Sequence, residues 1–291
     1  MPWWWRWPLI ITGDDILRVT VIGGGTMGSG IAEVFAQFGH DVILSDISDS
    51  ILRKSELAIN ASLKKLSEKG IIKEPERVSE RILYDTNFTA YDSEFYVEAV
   101  IEKPEIKSEV LHKIKNQNAI VATNTSSISI TMLSKYAPNP KKFIGMHFFN
   151  PPVIMKLIEV VSGYDTDGDT IKRVMDISKS LGKTPVMVKD FPGFISNRVL
   201  MALIREAIIS LEEGISDAAG IDTIMKLGMN HPMGPLELSD FIGNDVVYDI
   251  LNVLYNDLGY ERFKPPVTLR NMVYAGKLGR KTGEGFYKYD K

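Results

Sequence analysis

The stretch Leu17-Arg18-Val19-Thr20-Val21-Ile22-Gly23-Gly24-Gly25-Thr26-Met27-Gly28 decides the fold, because of what stands on each side of its glycines. Leu17 to Ile22 is a short β-branched run that reads as a buried strand. Ser29 to Phe38 follows with helical spacing of its apolar residues, and Gly39 stands at the C-cap. A second strand pattern, Asp41 to Ser45, then delivers Asp46. Strand, glycine-rich turn, helix, strand and acid form a dinucleotide-binding fingerprint, the acid coming about 20 residues after the glycines. Gly23 permits the tight turn, Gly25 lets a pyrophosphate approach the backbone, and Gly28 lets the helix pack close to its strand. Together with Gly24, Thr26 and Met27 they frame a helix N-terminus, whose N–H groups and dipole favour phosphate. Asp46 is placed to hydrogen-bond an adenosine ribose and to repel a 2′-phosphate. The expected cofactor is therefore NAD rather than NADP.

A chain of 291 residues is long enough for two domains. Its net charge of −3 argues against a nucleic-acid partner, although a local basic patch can still hold an anion. Cysteine is absent, which rules out disulfides, thiolate catalysis and cysteine-based zinc, so no metal site is expected. That composition suits the cytoplasm. No uncharged apolar run approaches the roughly 18 residues of a membrane span. The start is unusual: Trp3, Trp4, Trp5 and Trp7 are all the tryptophans of the chain. Residues 1–15 lack the layout of a signal peptide. They read as a poorly packed extension, or alternatively as an aromatic anchor onto a partner subunit or a lipid surface.

Strand-like and helix-like segments alternate through the first two-thirds of the chain. Ser50 to Gly70 reads as a long helix, followed by a charged connector through Ile82. Phe95 to Ile101, Ala119 to Thr123, Phe143 to Phe148, Lys156 to Val161 and Pro185 to Val188 read as strands, with helices at Ile106 to Asn116 and Asp169 to Leu181. This order predicts an α/β protein with a Rossmann-type doubly wound sheet over residues 16–191. Beyond Pro192 the patterns are helical: Phe194 to Glu213, Ile221 to Leu227, Pro235 to Leu258 and Val267 to Ala275. Residues 192–291 are thus expected to form a smaller all-helical domain for substrate and dimerisation. Its apolar helices, such as Val199 to Ile204, exceed what one small core needs, which suggests a homodimer.

A dehydrogenase acting on an alcohol needs a base that titrates near neutrality, and only His40, His112, His147 and His231 are available. His40 follows a helix C-cap and His112 sits on a helix face, so both are expected in solvent. His147 ends an apolar strand in Gly145-Met146-His147-Phe148-Phe149-Asn150-Pro151-Pro152. Ligands bind outside the carboxyl ends of strands in this architecture. Glu159 lies within the apolar Leu157 to Val161, where a buried carboxylate needs a partner. The turn at Pro151-Pro152 can bring it beside His147; the alternative is an exposed edge-strand glutamate. A His–Glu pair fixes the tautomer and stabilises the charged imidazole. Ser126 and Ser127 follow another strand end, where Ser127 is expected to cap the next helix. Asn197 opens the first helix beyond Pro192.

Seven segments occur in one order: Gly23-x-Gly-Thr-Met-Gly-x-Gly-Ile-Ala32, Val97-Glu-Ala-Val-Ile-Glu102, Thr123-Asn-Thr-Ser-Ser127, Gly145-Met-His-Phe-Phe-Asn-Pro-Pro152, Pro192-Gly-Phe-Ile-Ser-Asn-Arg198, His231-Pro-Met-Gly-Pro-Leu236 and Gly279-Arg-Lys-Thr-Gly-Glu-Gly-Phe-Tyr287. Together they resemble the L-3-hydroxyacyl-CoA dehydrogenase family from about Val19 to Tyr289, leaving the tryptophan-rich start unmatched. The resemblance implies NAD-dependent interconversion of (S)-3-hydroxyacyl-CoA and 3-oxoacyl-CoA. His-Pro-Met-Gly-Pro looks more like the 3-hydroxybutyryl-CoA branch than the mitochondrial one. It makes His147 the catalytic base, Glu159 its orienting partner and Ser126 the ligand of the substrate oxygen. Asn197 would hold the thioester end. NAD contacts carried over are Gly23 to Gly28, Asp46, Glu102, Lys107, Ser126, Asn150 and Lys281. Ser62 and Lys69 are carried over as coenzyme A contacts, beside the basic Lys64 and Lys65. A sugar-acid dehydrogenase of gulonate type, and a non-catalytic NAD-binding relative, remain as alternatives.

Overall fold

The computed structural model describes residues 16–289, so the tryptophan-rich stretch lies outside the described residues. The chain divides between Asp190 and Phe191 into two compact units. The first alternates strands and helices in the order β1 (Arg18–Ile22), α1 (Thr26–Gln37), β2 (Asp41–Ser45), α2 (Asp49–Glu68), α3 (Pro75–Ser79), β3 (Ile82–Asp85), β4 (Phe95–Glu98), α4 (Pro104–Lys113), β5 (Ile120–Thr123), α5 (Ile130–Ser134), β6 (Phe143–Phe148), β7 (Leu157–Ser162), α6 (Gly168–Ser180) and β8 (Thr184–Lys189). The strands form one sheet in the order β3-β2-β1-β4-β5-β6-β7-β8. Every pairing is parallel except β6 with β7. Val19, Val21, Leu44, Val97, Ala122, Ile144 and Val160 are buried along the sheet, against Ile31, Ala32 and Phe35 of α1 and Leu52, Ile59 and Leu63 of α2. Such near-continuous apolar strands are what a mainly parallel sheet covered on both faces requires.

The second unit is helical: α7 (Ser196–Glu212), α8 (Ala218–Gly228), α9 (Pro235–Ile242), α10 (Asn244–Leu258) and α11 (Val267–Tyr274). Its own core gathers Met201, Ile204, Ile208, Leu236, Val247, Leu251, Leu254, Phe263 and Leu269. Among the described residues no helix is long and apolar enough to cross a membrane.

Four sequence expectations need correction. The charged connector before Ile82 contains α3, and Ile82 opens the edge strand β3. Pro235 to Leu258 is two helices, because Gly243 adopts a φ of 108° that a continuing helix cannot accommodate. His40 is buried at 2% exposure: its Nδ1 accepts from Leu17 N at 3.2 Å, satisfying a backbone donor just before β1. Ser129 rather than Ser127 caps α5, its side chain accepting from Met132 N.

Candidate active site

The carboxyl ends of β1, β2, β4, β5 and β6 share one edge of the sheet, and nearly all the sequence candidates of the first unit lie there. At β1 the chain turns through Gly23, whose φ is 111°. A Cβ on Gly23 would sit 2.6 Å from Ala99 O, and one on Gly28 would sit 1.8 Å from Gly23 O. Helix and strand therefore approach as closely as only glycine allows. Gly25 is different. It is the N-cap of α1, a Cβ there would meet nothing within 4 Å, and the first turn of α1 carries no acid. A helix N-terminus with no side-chain cap and open space over its glycine is a built cradle for a pyrophosphate, so these residues fit NAD. Asp46 is oriented by the same loop: its Oδ2 accepts from Gly24 N at 2.8 Å and its Oδ1 from Ser48 N at 3.3 Å.

His147 and Glu159 are directly opposite one another on the antiparallel β6–β7 pair. Facing residues of such a pair project to the same side, so their side chains meet. His147 Nδ1 lies 2.9 Å from Glu159 Oε2, with His147 8% and Glu159 3% exposed. The carboxylate partner makes Nδ1 the protonated nitrogen, so that Nδ1–H donates to Oε2. The Phe149 ring centroid is 4.6 Å from that of His147. Asn124 Oδ1 accepts from Phe148 N at 2.9 Å and ties the end of β5 to the end of β6. Asn150, two residues on, is exposed.

Ser126 lies between these two constellations. Glu102 Oε1 accepts from Ser126 N at 2.8 Å, Ser127 N at 3.2 Å and Thr125 Oγ1 at 2.5 Å. The hydroxyls of Ser126 and Ser127 also reach it, each at 3.3 Å. Burial alone would raise the Glu102 carboxyl, but the Lys107 ammonium and these donors outweigh it and hold it below the usual carboxylate range. Lys107 is 1% exposed and is enclosed by Glu98, Glu102 and the Val100 carbonyl. Glu98, which the sequence reading passed over, is the buried partner at the centre of this group.

Ser62 and Lys69 are not equivalent. Lys69 is exposed at the end of α2 beside the exposed Lys64 and Lys65. The half-buried Ser62 hydroxyl donates to Glu33 Oε1 at 2.8 Å, linking α2 to α1. Burial pushes the Glu33 carboxyl up to about 7, against the lowering hydrogen bonds from Ser62 and Gln37. A carboxyl raised in the folded state stabilises the fold fully below its unfolded value and loses that contribution as pH rises through the folded one. Wild type is thus expected to lose thermal stability relative to Glu33→Gln between about pH 5 and pH 8. Parallel melting curves over that range would contradict it.

In the second unit, Asn197 is half-buried in the first turn of α7. Lys281 is ion-paired to Asp245, Nζ to Oδ2 at 2.6 Å.

Both units match a known protein family. The family model for the NAD binding domain of 3-hydroxyacyl-CoA dehydrogenase matches residues 18–191, and that for its C-terminal domain matches residues 193–289. The chain is 48% identical over 278 residues to a probable 3-hydroxybutyryl-CoA dehydrogenase of Deinococcus radiodurans, covering 94% of this chain and 100% of that protein. It is 41% identical over 287 residues to the mitochondrial hydroxyacyl-coenzyme A dehydrogenase of Sus scrofa, covering 94% and 91%. The crystal structure of an (S)-3-hydroxybutyryl-CoA dehydrogenase from Ralstonia eutropha is similar with a TM-score of 0.93 at 41% identity, over 95% of this chain and 100% of that one. With a cradle for NAD, a buried His–Glu pair on the same sheet edge, and both domains matched in order, the chain belongs to the 3-hydroxyacyl-CoA dehydrogenase family.

Proposed function

We propose that this enzyme interconverts (S)-3-hydroxybutyryl-CoA and acetoacetyl-CoA, with His147 as the base. It is an NAD-dependent oxidoreductase, and its substrates are 3-hydroxyacyl-CoA thioesters. The observation that carries the assignment of the base is the 2.9 Å contact between His147 Nδ1 and Glu159 Oε2 at a strand's carboxyl end. With Nδ1 engaged by the carboxylate, the substrate's hydroxyl proton goes to Nε2. Glu159 holds the ring in that tautomer and stabilises the imidazolium that forms, as a buried carboxylate does for a base. The Ser126 hydroxyl turns from Glu102 Oε1 to donate to the substrate C3 oxygen and stabilises charge that develops on it, while its backbone N–H stays on Glu102. Bound NAD would supply the acceptor for the hydride that leaves C3. Gly23 to Gly28 would hold its pyrophosphate and Asp46 its adenosine ribose. Glu102, Lys107, Asn150 and Lys281 complete the proposed cofactor set, and Asn197 takes the thioester end of the substrate.

Coenzyme A is assigned to Ser62 and Lys69, where the exposed lysines of α2 supply positive charge to its phosphates. Lys69→Ala is expected to raise the KM for acetoacetyl-CoA roughly fivefold, the scale of one exposed charge contact, with kcat retained. A loss confined to kcat would show that the lysine is misplaced.

We also assign the second unit to a homodimer interface and the enzyme to the cytoplasm. Ile224, Leu227, Met229 and Phe241 are exposed at 59%, 83%, 62% and 59%, more apolar surface than one small unit normally leaves in water. Light scattering at micromolar concentration should give the mass of two chains; a strictly monomeric species contradicts the assignment. The substrate class is checked by steady-state rates with acetoacetyl-CoA and NADH, set against a sugar acid such as gulonate with NAD. Turnover of the thioester alone is expected, and preference for the sugar acid would overturn the reading.

A further inference from the structure

We propose that Glu98 is a positioning residue for the oxidation step: it fixes Lys107, Lys107 fixes Glu102, and Glu102 holds the loop that carries Ser126. This rests on the reading of Ser126 as the donor to the substrate oxygen.

Glu98 ends β4 with its side chain fully buried. A carboxylate in that position is costly unless every oxygen is engaged. Oε1 accepts from Lys107 Nζ at 2.9 Å and from Val100 N at 2.8 Å, and Oε2 accepts from Thr123 Oγ1 at 2.6 Å. Glu98 and Thr123 are register partners on β4 and β5, so the sheet itself sets the last of these bonds. Lys107 comes from α4 and reaches the sheet edge beneath the loop. Its ammonium also donates to Val100 O at 3.2 Å and stands 3.2 Å from Glu102 Oε2.

The cluster holds two carboxylates and one ammonium. Its surplus negative charge lies on Glu102, the more exposed of the two acids. Glu102 meets that surplus by taking the backbone N–H groups of Ser126 and Ser127 and the Thr125 hydroxyl. Charge-assisted hydrogen bonds of this kind are stronger than neutral ones and set position closely. The loop therefore inherits its place from β4 through a chain of ionic contacts. A purely structural strand end would be served at lower desolvation cost by an apolar side chain.

The test is a double-mutant cycle on the full chain, with acetoacetyl-CoA and NADH. Glu98→Gln is expected to lower kcat roughly tenfold with KM nearly unchanged, since a small misplacement of a reacting group costs rate. In a Ser126→Ala background the same change should cost less than about twofold, because the positioned group is gone. Equal losses in both backgrounds, or no loss in either, would overturn the proposal alone. A Ser126→Ala enzyme with unchanged kcat would remove the role of Ser126 beneath the proposal, and the proposal with it. If Glu98→Gln leaves Lys107 as a buried cation and the protein does not fold, Glu98→Asp keeps the charge but shortens its reach to Lys107 and Thr123. The same cycle, with the same outcomes, is then read on that variant.

Discussion

Replacing His147 by glutamine should lower kcat by about 10²–10⁴-fold, the usual worth of a positioned general base. Glutamine has nearly the reach of histidine but cannot take up the hydroxyl proton at neutral pH. His147 sits on β6, while the cofactor cradle is built at β1, three strands away in the sheet order. NADH affinity should therefore stay within about twofold, and kcat and kcat/KM should fall together, the sign of an interaction made in the transition state. Glu159→Gln should cost less, because the amide oxygen still accepts from Nδ1 and only the stabilising charge is lost. Steady-state rates together with NADH binding by fluorescence check all of this. Wild-type turnover in His147→Gln would move the base elsewhere, with His231 the next candidate.

The second large effect concerns the cofactor. Asp46 is held by two backbone donors, Gly24 N and Ser48 N, so its carboxylate cannot swing away from the end of β2 without breaking both. A 2′-phosphate brought to that place meets a fixed like charge, a clash worth several kcal/mol, or roughly a hundredfold or more in preference. kcat/KM with NADPH should accordingly be at least about a hundredfold below that with NADH. Equal efficiencies would contradict the role of Asp46.

Much of this architecture is legible in the sequence because its signals are local. The strand, glycine turn, helix and second strand of the first 30 described residues each carry their own spacing or capping pattern. The parts missed depend on contacts that spacing does not encode. β3 is a four-residue edge strand with Leu83 half in solvent, so its pattern neither alternates cleanly nor runs continuously. A single glycine at 243 does not distinguish a helix break from a tolerated glycine until its φ is known. Ser127 and Ser129 are equally good caps by composition, and only the onset of α5 chooses between them. His40 is buried because the first backbone N–H before β1 needs an acceptor, a demand visible only once β1 and α1 are packed.

In the site, Glu159 is a carboxylate in an apolar strand that needs a partner, and the register of β6 and β7 supplies that partner directly. The same demand holds for Glu98 in Phe95-Tyr96-Val97-Glu98. Its partner, Lys107, lies on the next helix rather than on a neighbouring strand, and no strand periodicity points to it.

The fate of the hydrogen on C3 is the most direct check on the chemistry. A single turnover of (S)-3-hydroxybutyryl-CoA deuterated at C3, with NAD in ordinary water, can be read by mass spectrometry of the reduced cofactor. Direct hydride transfer, with His147 handling only the hydroxyl proton, predicts that the deuterium appears in full on the nicotinamide and that acetoacetyl-CoA forms in equal amount. Unlabelled NADH, or no reduction of NAD by this substrate, would contradict it.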